Sequence, residues 1–254
     1  SAYFSKTDAN GFMELLGKYY SDDDEIWGSI RETAIKNAEA EMKDNPEQWA
    51  IYNESADNNV NVEAGPGSGK THVLTMKCAK LIYRQHTPPS QILVLAYNRA
   101  VVVELKTRLA KLFASLGLSR SANQLNVYTF HAFAKRVCGK KLEGIDMQQW
   151  EKALLGTIVR TPMEVTKVFP DIRYILIDEF QDITQTRLDA LLGLKKIYPR
   201  LSFFTIGDKD QSIYGFEREE SMDPNYYYKQ LYDKLNPKRM TMSINYRSYP
   251  KILE

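Results

Sequence analysis

Two short stretches decide the fold of this chain: Ala64-Gly-Pro-Gly-Ser-Gly-Lys-Thr71 and Tyr174-Ile-Leu-Ile-Asp-Glu179. The first is a glycine-rich loop between an apolar-rich segment, residues 60–63, and a helical pattern. The second is an apolar strand that delivers two carboxylates at its carboxyl end. Such a loop and such an acidic pair together are what nucleoside triphosphate hydrolysis requires, because triphosphate and metal must be held against competition from water.

The loop is expected to cradle the phosphates, since its glycines let several backbone N–H groups approach them and the next helix adds its positive N-terminal end. We expect Lys70 to reach the β- and γ-phosphates and the Thr71 hydroxyl to bind Mg²⁺. Ala64 stands where the strict pattern has glycine, and it is small enough for the turn. The expected phosphate-binding residues are Ala64, Gly65, Gly67, Ser68, Gly69, Lys70 and Thr71.

The two carboxylates at the end of the second motif's strand are expected to have different roles. Asp178 should hold the same Mg²⁺, and Glu179 should orient and deprotonate the attacking water. ATP and Mg²⁺ are therefore the expected cofactors. The alternative, a glycine-rich turn before an ordinary helix, is disfavoured because the strand and helix flank the loop as the motif demands.

Bulk composition narrows the class of protein. At 254 residues, with 43% apolar and 26% charged residues, the chain is ordinary for a globular α/β protein. It has no apolar run long enough to span a bilayer and only two cysteines, so we expect a cytoplasmic protein without disulfides. Residues 1–50 carry 5 Lys/Arg against 11 Asp/Glu, leaving 29 against 21 for the rest. The motif-bearing part is thus basic, which is compatible with a polyanionic partner.

Strand and helix patterns alternate from residue 60, which predicts an α/β fold with a parallel sheet covered on both faces. Ligands of such sheets bind at the carboxyl ends of the strands, where both motifs fall. The predicted segments are a helical extension at 1–44, an ATPase core at 45–137 and 173–254, and a short helical insertion at 138–172. The predicted strands are 60–64, 91–96, 125–128, 173–178, 201–206 and 239–243.

Further segments fall in a fixed order around these motifs, and with them the chain resembles the UvrD/Rep/PcrA-type superfamily 1 DNA helicases. The matching segments are Asn45-Pro-Glu-Gln48, Ala64–Thr71, Leu95-Ala-Tyr-Asn-Arg-Ala100, Thr129-Phe-His-Ala-Phe133, Ile177-Asp-Glu-Phe-Gln-Asp182, Gly207-Asp-Lys-Asp-Gln-Ser-Ile-Tyr-Gly215 and Asn245-Tyr-Arg-Ser248. The resemblance implies the first RecA-like domain of a two-domain motor, a P-loop NTPase with three layers, present here as a fragment whose second RecA-like domain follows in the same polypeptide.

The resemblance also implies roles around the nucleotide. Gln48 matches the glutamine that reads the adenine edge, and Tyr246 matches the aromatic that stacks on adenine. His72 stands where family members often pack an arginine on the base. Arg247 matches an arginine that reaches the γ-phosphate, and Gln211 matches the residue that links the γ-phosphate state to the DNA site.

A second set of residues is implied to contact single-stranded DNA. Thr129 and His131 match a segment that contacts the backbone of the DNA strand. Tyr214 and Phe216 match positions that form a pocket for a base, since aromatic rings stack on any base. The complete set is Tyr97, Asn98, Arg99, Thr129, His131, Tyr214 and Phe216. The basic residues Lys135, Arg136, Lys140 and Lys141 are equally compatible with phosphate contacts and with a solvated helix face.

The expected function is therefore ATP-driven 3′-to-5′ movement along single-stranded DNA, with direction implied by the resemblance alone and a duplex junction as a further partner. We expect the isolated fragment to bind ATP weakly and to hydrolyse it poorly, because an arginine from the second domain completes such sites. Two alternatives stay open: a nucleotide-gated DNA sensor inside a larger repair or defence protein, and an RNA motor, since the motifs do not report the 2′-OH.

Overall fold

A computed structural model describes residues 25–208 and 226–244 of the chain. Six parallel strands form one sheet in the order β3-β2-β4-β5-β1-β6 within these residues. The strands are β1 (Val60–Ala64), β2 (Ile92–Ala96), β3 (Asn126–Thr129), β4 (Tyr174–Ile177), β5 (Ser202–Gly207) and β6 (Lys238–Met242). Each predicted strand is present, and most boundaries differ from the prediction by a single residue.

Helices alternate with these strands and cover the sheet. In the described ranges they are α1 (Glu25–Lys43), α2 (Pro46–Asn53), α3 (Lys70–Tyr83), α4 (Arg99–Ser115), α5 (Ser119–Gln124), α6 (Phe130–Cys138), α7 (Trp150–Arg160), α8 (Pro162–Val168), α9 (Gln185–Ile197) and α10 (Tyr226–Leu235). The predicted helix before residue 25 lies outside the described residues.

The two faces of the sheet bury separate apolar clusters, because successive side chains of a strand point to opposite faces. In β2, Ile92 and Val94 belong to the cluster under α1–α5, whereas Leu93 and Leu95 belong to the cluster under α6–α10. Both faces are therefore covered, and the predicted three-layer α/β fold is confirmed. Among the described helices, none is both long and apolar enough to cross a bilayer.

The strand order brings the loops that carry the predicted motifs to one edge. All six strands are parallel, so the loops that follow β1 to β5 leave from the same edge of the sheet. Strand β5 lies between β1, which precedes the glycine-rich loop, and β4, which precedes Asp178 and Glu179. Strands β2 and β3 form the other end of this edge.

Two helices were not predicted as separate elements. Helix α2 has 8 residues and α5 has 6, too few for a helical period to stand out in the sequence. Residues 138–172 are helical in α7 and α8, and both helices contribute to the apolar cluster that also holds α6 and α9. The division of the chain into an ATPase core and an insertion remains a prediction.

Candidate nucleotide site and the neighbouring strand ends

The loop between β1 and α3 is shaped by left-handed glycines and by contacts of its own backbone. Gly67 and Gly69 have φ angles of 71° and 91°, a region that side chains disfavour. Ser68 Oγ donates to the Gly65 carbonyl at 2.7 Å, and the Gly65 N–H donates to the Met242 carbonyl at 3.0 Å. The loop is thereby closed on itself and attached to the end of β6.

Gln48 of α2 lies directly against this loop. Its amide Nε2 donates to the Ser68 carbonyl at 2.8 Å, and the residue is buried. The φ angle of Gly69 disfavours a side chain, and a Cβ atom there would lie only 2.7 Å from that nitrogen, so Gln48 would have to shift. Gln48 is thus placed beside the phosphate loop, and its contact with adenine remains a prediction.

The first turn of α2 also holds the chain after β6. Glu47 accepts hydrogen bonds from the Ser243 backbone N–H at 2.7 Å and from the Ser243 hydroxyl at 2.6 Å. The hydroxyl contact is the main cause that lowers the pKa of Glu47. Helix α2 therefore contacts both the phosphate loop and the segment that leads toward residue 245, a convergence that sequence reasoning missed.

The other end of α2 rests on a buried lysine of α3. Lys77 is 2% exposed, and its Nζ donates to the carbonyls of Ile51, Tyr52 and Glu54 at 3.3, 3.3 and 2.7 Å. Burial lowers the pKa of Lys77 to about 7. A lysine beside Met76 and Cys78, both of them apolar, was the only sequence signal for this anchor.

The acidic pair faces the loop from β4. Lys70 Nζ lies 3.8 Å from Glu179 Oε2, which brings the two motifs together as predicted. Asp178 is 3% exposed, and burial, followed by the neighbouring Glu179 carboxylate, raises its pKa to about 7. Glu179 itself adopts the left-handed region, with φ 53°, a strained conformation for a residue with a side chain.

Gln181 connects this pair to β5, although the sequence analysis gave it no role. Its Nε2 donates to Glu179 Oε2 at 2.8 Å, and its Oε1 accepts from the Asp208 backbone N–H at 2.9 Å. A Cβ on Gly207 would lie 2.6 Å from Gln181 Oε1, so the glycine makes room for this bridge. The position of the Glu179 carboxylate is thereby coupled to the end of β5.

The site also suits a divalent cation. Asp178 and Glu179 place two adjoining carboxyls near one lysine, and Asp178 is buried. Carboxylate and hydroxyl oxygens are the ligands that Mg²⁺ prefers, and Thr71 lies in the first turn of α3, directly after the loop. The described residues contain no group of three or more His, Cys, Asp or Glu that would itself enclose a metal.

The ends of β2 and β3 carry the residues expected to contact DNA. Asn98 and Thr129 are N-caps: Asn98 Oδ1 accepts from the Val101 N–H at 2.9 Å, and Thr129 Oγ1 accepts from the Ala132 N–H at 3.1 Å. Arg99 is exposed, whereas Thr129 is buried. Each capping side chain therefore has a local structural role.

Tyr97 and His131 adjoin a buried arginine that the sequence analysis missed. The Arg187 guanidinium carbon lies 4.7 Å from the centre of the Tyr97 ring. His131 Nδ1 lies 3.5 Å from Oε1 of Glu151, the carboxylate that pairs with Arg187. No local pattern pointed to this cluster, because its members come from four separate segments of the chain.

The remaining predicted residues divide into two groups. His72 is half-buried, and burial is the main cause that lowers its pKa. Lys141 pairs with Glu164 at 2.8 Å, while Lys135, Arg136 and Lys140 are exposed. The predicted residues Gln211, Tyr214, Phe216, Tyr246 and Arg247 lie outside the described residues.

Comparison with known families matches residues 44–155 and 160–223 to the UvrD/REP helicase N-terminal domain. The chain belongs to this family. Its motifs from Asn45 to Gly215 fall within the matched ranges, in agreement with the resemblance drawn from the sequence.

Several helicases align over most of this chain. The mitochondrial ATP-dependent DNA helicase HMI1 of Saccharomyces cerevisiae is 24% identical over 82% of this chain. The ATP-dependent DNA helicase Rep of Buchnera aphidicola is 23% identical over 75% of it, and the putative helicase YjcD of Bacillus subtilis is 25% identical over 74%. The chain spans 39%, 40% and 34% of the lengths of these relatives.

Among solved structures, the helicase MrfA bound to DNA superposes with a TM-score of 0.50 at 14% identity. The superposition covers 84% of this chain and 29% of MrfA. At that identity the likeness supports the fold.

Proposed function

We propose that this domain is the ATP-hydrolysing first motor domain of a helicase that moves 3′ to 5′ along single-stranded DNA. The observation that carries the proposal is the contact between Lys70 of the phosphate loop and Glu179 of the strand-end pair, at 3.8 Å. Family membership and the named DNA helicase relatives support the choice of ATP and DNA.

In this proposal the loop glycines and Lys70 bind the triphosphate, and Gln48 and His72 lie on the base side of the nucleotide. Glu179 takes the proton of the attacking water, and Gln181 holds the Glu179 carboxylate in position. Mg²⁺ held by Thr71 and Asp178 would supply positive charge to the phosphates. Tyr246 and Arg247 are proposed to complete the adenine and γ-phosphate contacts.

We propose that single-stranded DNA crosses the carboxyl ends of β2 and β3 and reaches Tyr214 and Phe216. At the ends of β2 and β3 it would contact Tyr97, Asn98, Arg99, Thr129 and His131. These strand ends share one sheet edge with the nucleotide site. A change at the γ-phosphate, passed on through Gln211, would therefore need to travel only along that edge. A second RecA-like domain of the same polypeptide is the proposed partner that closes over the nucleotide.

The test is strand separation by the full-length protein on duplexes with a 3′ or a 5′ single-stranded tail, of DNA or of RNA. The proposal expects ATP-dependent unwinding of the 3′-tailed DNA and none by a Glu179→Gln variant. ATP and DNA binding without turnover would replace the motor with a nucleotide-gated sensor. A preference for RNA tails, or for 5′ tails, would overturn the assigned polymer or the assigned direction.

A further inference from the structure

Arg187 is a buried arginine in the first turn of α9. The residue is 6% exposed, and its guanidinium contacts residues from four separate segments of the chain. Buried arginines are uncommon, because the charge must be matched by hydrogen bonds and an opposite charge. Arg187 has both hydrogen bonds and an opposite charge, so the neighbouring residues match its charge.

The first partner is Glu151 of α7. Arg187 Nε lies 2.9 Å from both carboxylate oxygens, and Nη2 lies 2.7 Å from Oε1. This paired geometry fixes the plane of the guanidinium as well as its position. The same carboxylate oxygen lies 3.5 Å from His131 Nδ1.

The other three partners lie at the sheet edge that carries the motifs. The guanidinium packs on the rings of Tyr97, at the end of β2, and Phe130, at the start of α6, with centroid distances of 4.7 and 5.1 Å. Its Nη1 donates to the carbonyl of Asp182 at 3.2 Å. Asp182 ends the short turn that begins directly after Asp178 and Glu179.

We propose that the Arg187–Glu151 pair is a positioning unit that holds Tyr97 and His131 in place for the nucleic acid strand and joins them to the acidic turn. The planar guanidinium sets the Tyr97 ring, and Glu151 sets the His131 imidazole. The Asp182 carbonyl ties both to the segment that carries Glu179. The inference rests on the proposed function, since it assumes that Tyr97 and His131 meet the strand.

The measurement is ATP hydrolysis by the full-length protein as a function of single-stranded DNA concentration. Arg187→Met should raise the half-saturating DNA concentration at least tenfold while the KM for ATP changes less than threefold. Arg187→Lys keeps the charge without the planar fork and should lie between Arg187→Met and the wild type. An unchanged half-saturation in Arg187→Met, or an equal rise in both constants, would overturn the inference.

A matched control separates positioning from simple loss of stability. Arg84 also donates hydrogen bonds to two glutamates, Glu32 and Glu39, with a more exposed side chain, and it follows the last turn of α3, the end away from the phosphate loop. Arg84→Met should therefore lower stability without moving the half-saturating DNA concentration. A shift as large as that of Arg187→Met would mean that stability alone explains the effect, and the inference would fail.

Three further variants keep the test decisive. If Arg187→Met does not fold, the Arg187→Met/Glu151→Leu double variant replaces the buried pair by apolar groups, which proteins often tolerate. Its half-saturating DNA concentration should still rise, and a normal value would overturn the inference. If Tyr97→Ala shifts the half-saturating DNA concentration and Arg187→Met does not, only the positioning unit is overturned. If none of Tyr97→Ala, His131→Ala and Arg187→Met shifts it, the proposed DNA interface is overturned as well.

Discussion

The two ends of one sheet edge are built in different ways. At β1 the phosphate loop is shaped by contacts between residues close in sequence, such as the Ser68 hydroxyl donating to the Gly65 carbonyl three residues away. At the ends of β2 and β3, where DNA is proposed to bind, the arrangement depends on side chains from distant segments, such as Arg187 with Glu151, 36 residues apart. The first kind of site can be recognised in the sequence as a motif, whereas the second can be recognised only in the three-dimensional structure.

The largest expected effect lies at the nucleotide end. Glu179→Gln in the full-length protein should lower ATP turnover by about 10²–10⁴, because the proton acceptor is lost. ATP binding should persist, since Lys70 and the loop are unchanged. Steady-state hydrolysis and a binding titration would show this, with Glu143→Gln, at an exposed position, as the control. Equal losses in both variants would argue against a special role for Glu179.

The next effect concerns the anchor of α2 and depends on pH. Folding lowers the pKa of Lys77 from its usual 10.5 to about 7, so the unfolded chain binds more protons between these values. The free energy of unfolding should therefore rise with pH from about 7 to 10, by up to about 4 kcal/mol, and should be constant for this group below 7. Denaturant titrations across this range should show the rise in the wild type and a flatter profile in Lys77→Met. Identical profiles would contradict the assignment to Lys77.

Two glycines separate backbone strain from crowding at the phosphate loop. Gly69 and Gly144 both have positive φ, but a Cβ would meet Gln48 only at Gly69. Gly144→Ala should cost about 1 kcal/mol, and Gly69→Ala about 1–3 kcal/mol together with weaker ATP binding. Thermal unfolding with and without ATP would measure both. In a Gln48→Ala background, Gly69→Ala should cost only about 1 kcal/mol, as Gly144→Ala does, and a larger loss there would show that the clash does not lie at Gln48.

The smallest effects on stability are expected for the two N-cap residues at the ends of β2 and β3. Asn98→Ala and Thr129→Ala should each lower the free energy of unfolding by about 1 kcal/mol, since each removes a side chain that caps a helix. Thr107→Ala, at an exposed position within α4, should change it by less than about 0.5 kcal/mol. Chemical unfolding would rank the three. A Thr129→Ala variant with full stability would remove the capping role from this residue.

The fold was open to prediction because its signals are local and repeated. Apolar strands alternate with helices, and the motifs follow β1, β4 and β5, so the three-layer arrangement could be read from the sequence. The contact of Lys70 with Glu179 also followed from the motifs, since both leave parallel strands at the same edge.

What could not be predicted depends on side-chain contacts between distant elements. Glu47 meeting Ser243, and Lys77 reaching the end of α2, join segments whose approach is set by packing of the whole core. Arg187 has no local mark of burial, because an arginine in a helix is ordinarily a surface residue. Short helices such as α2 and α5 likewise show too few residues for a period to be recognised.

The most direct test of the central claim is ATP hydrolysis by the full-length protein as single-stranded DNA is added. If one sheet edge binds both the nucleotide and the single-stranded DNA, ATP turnover should rise at least tenfold as DNA is added and should then saturate. Tyr97→Ala should also raise the half-saturating DNA concentration and leave the KM for ATP nearly unchanged. Turnover that ignores DNA, or a Tyr97→Ala variant with wild-type half-saturation, would contradict the placement of the strand at the ends of β2 and β3.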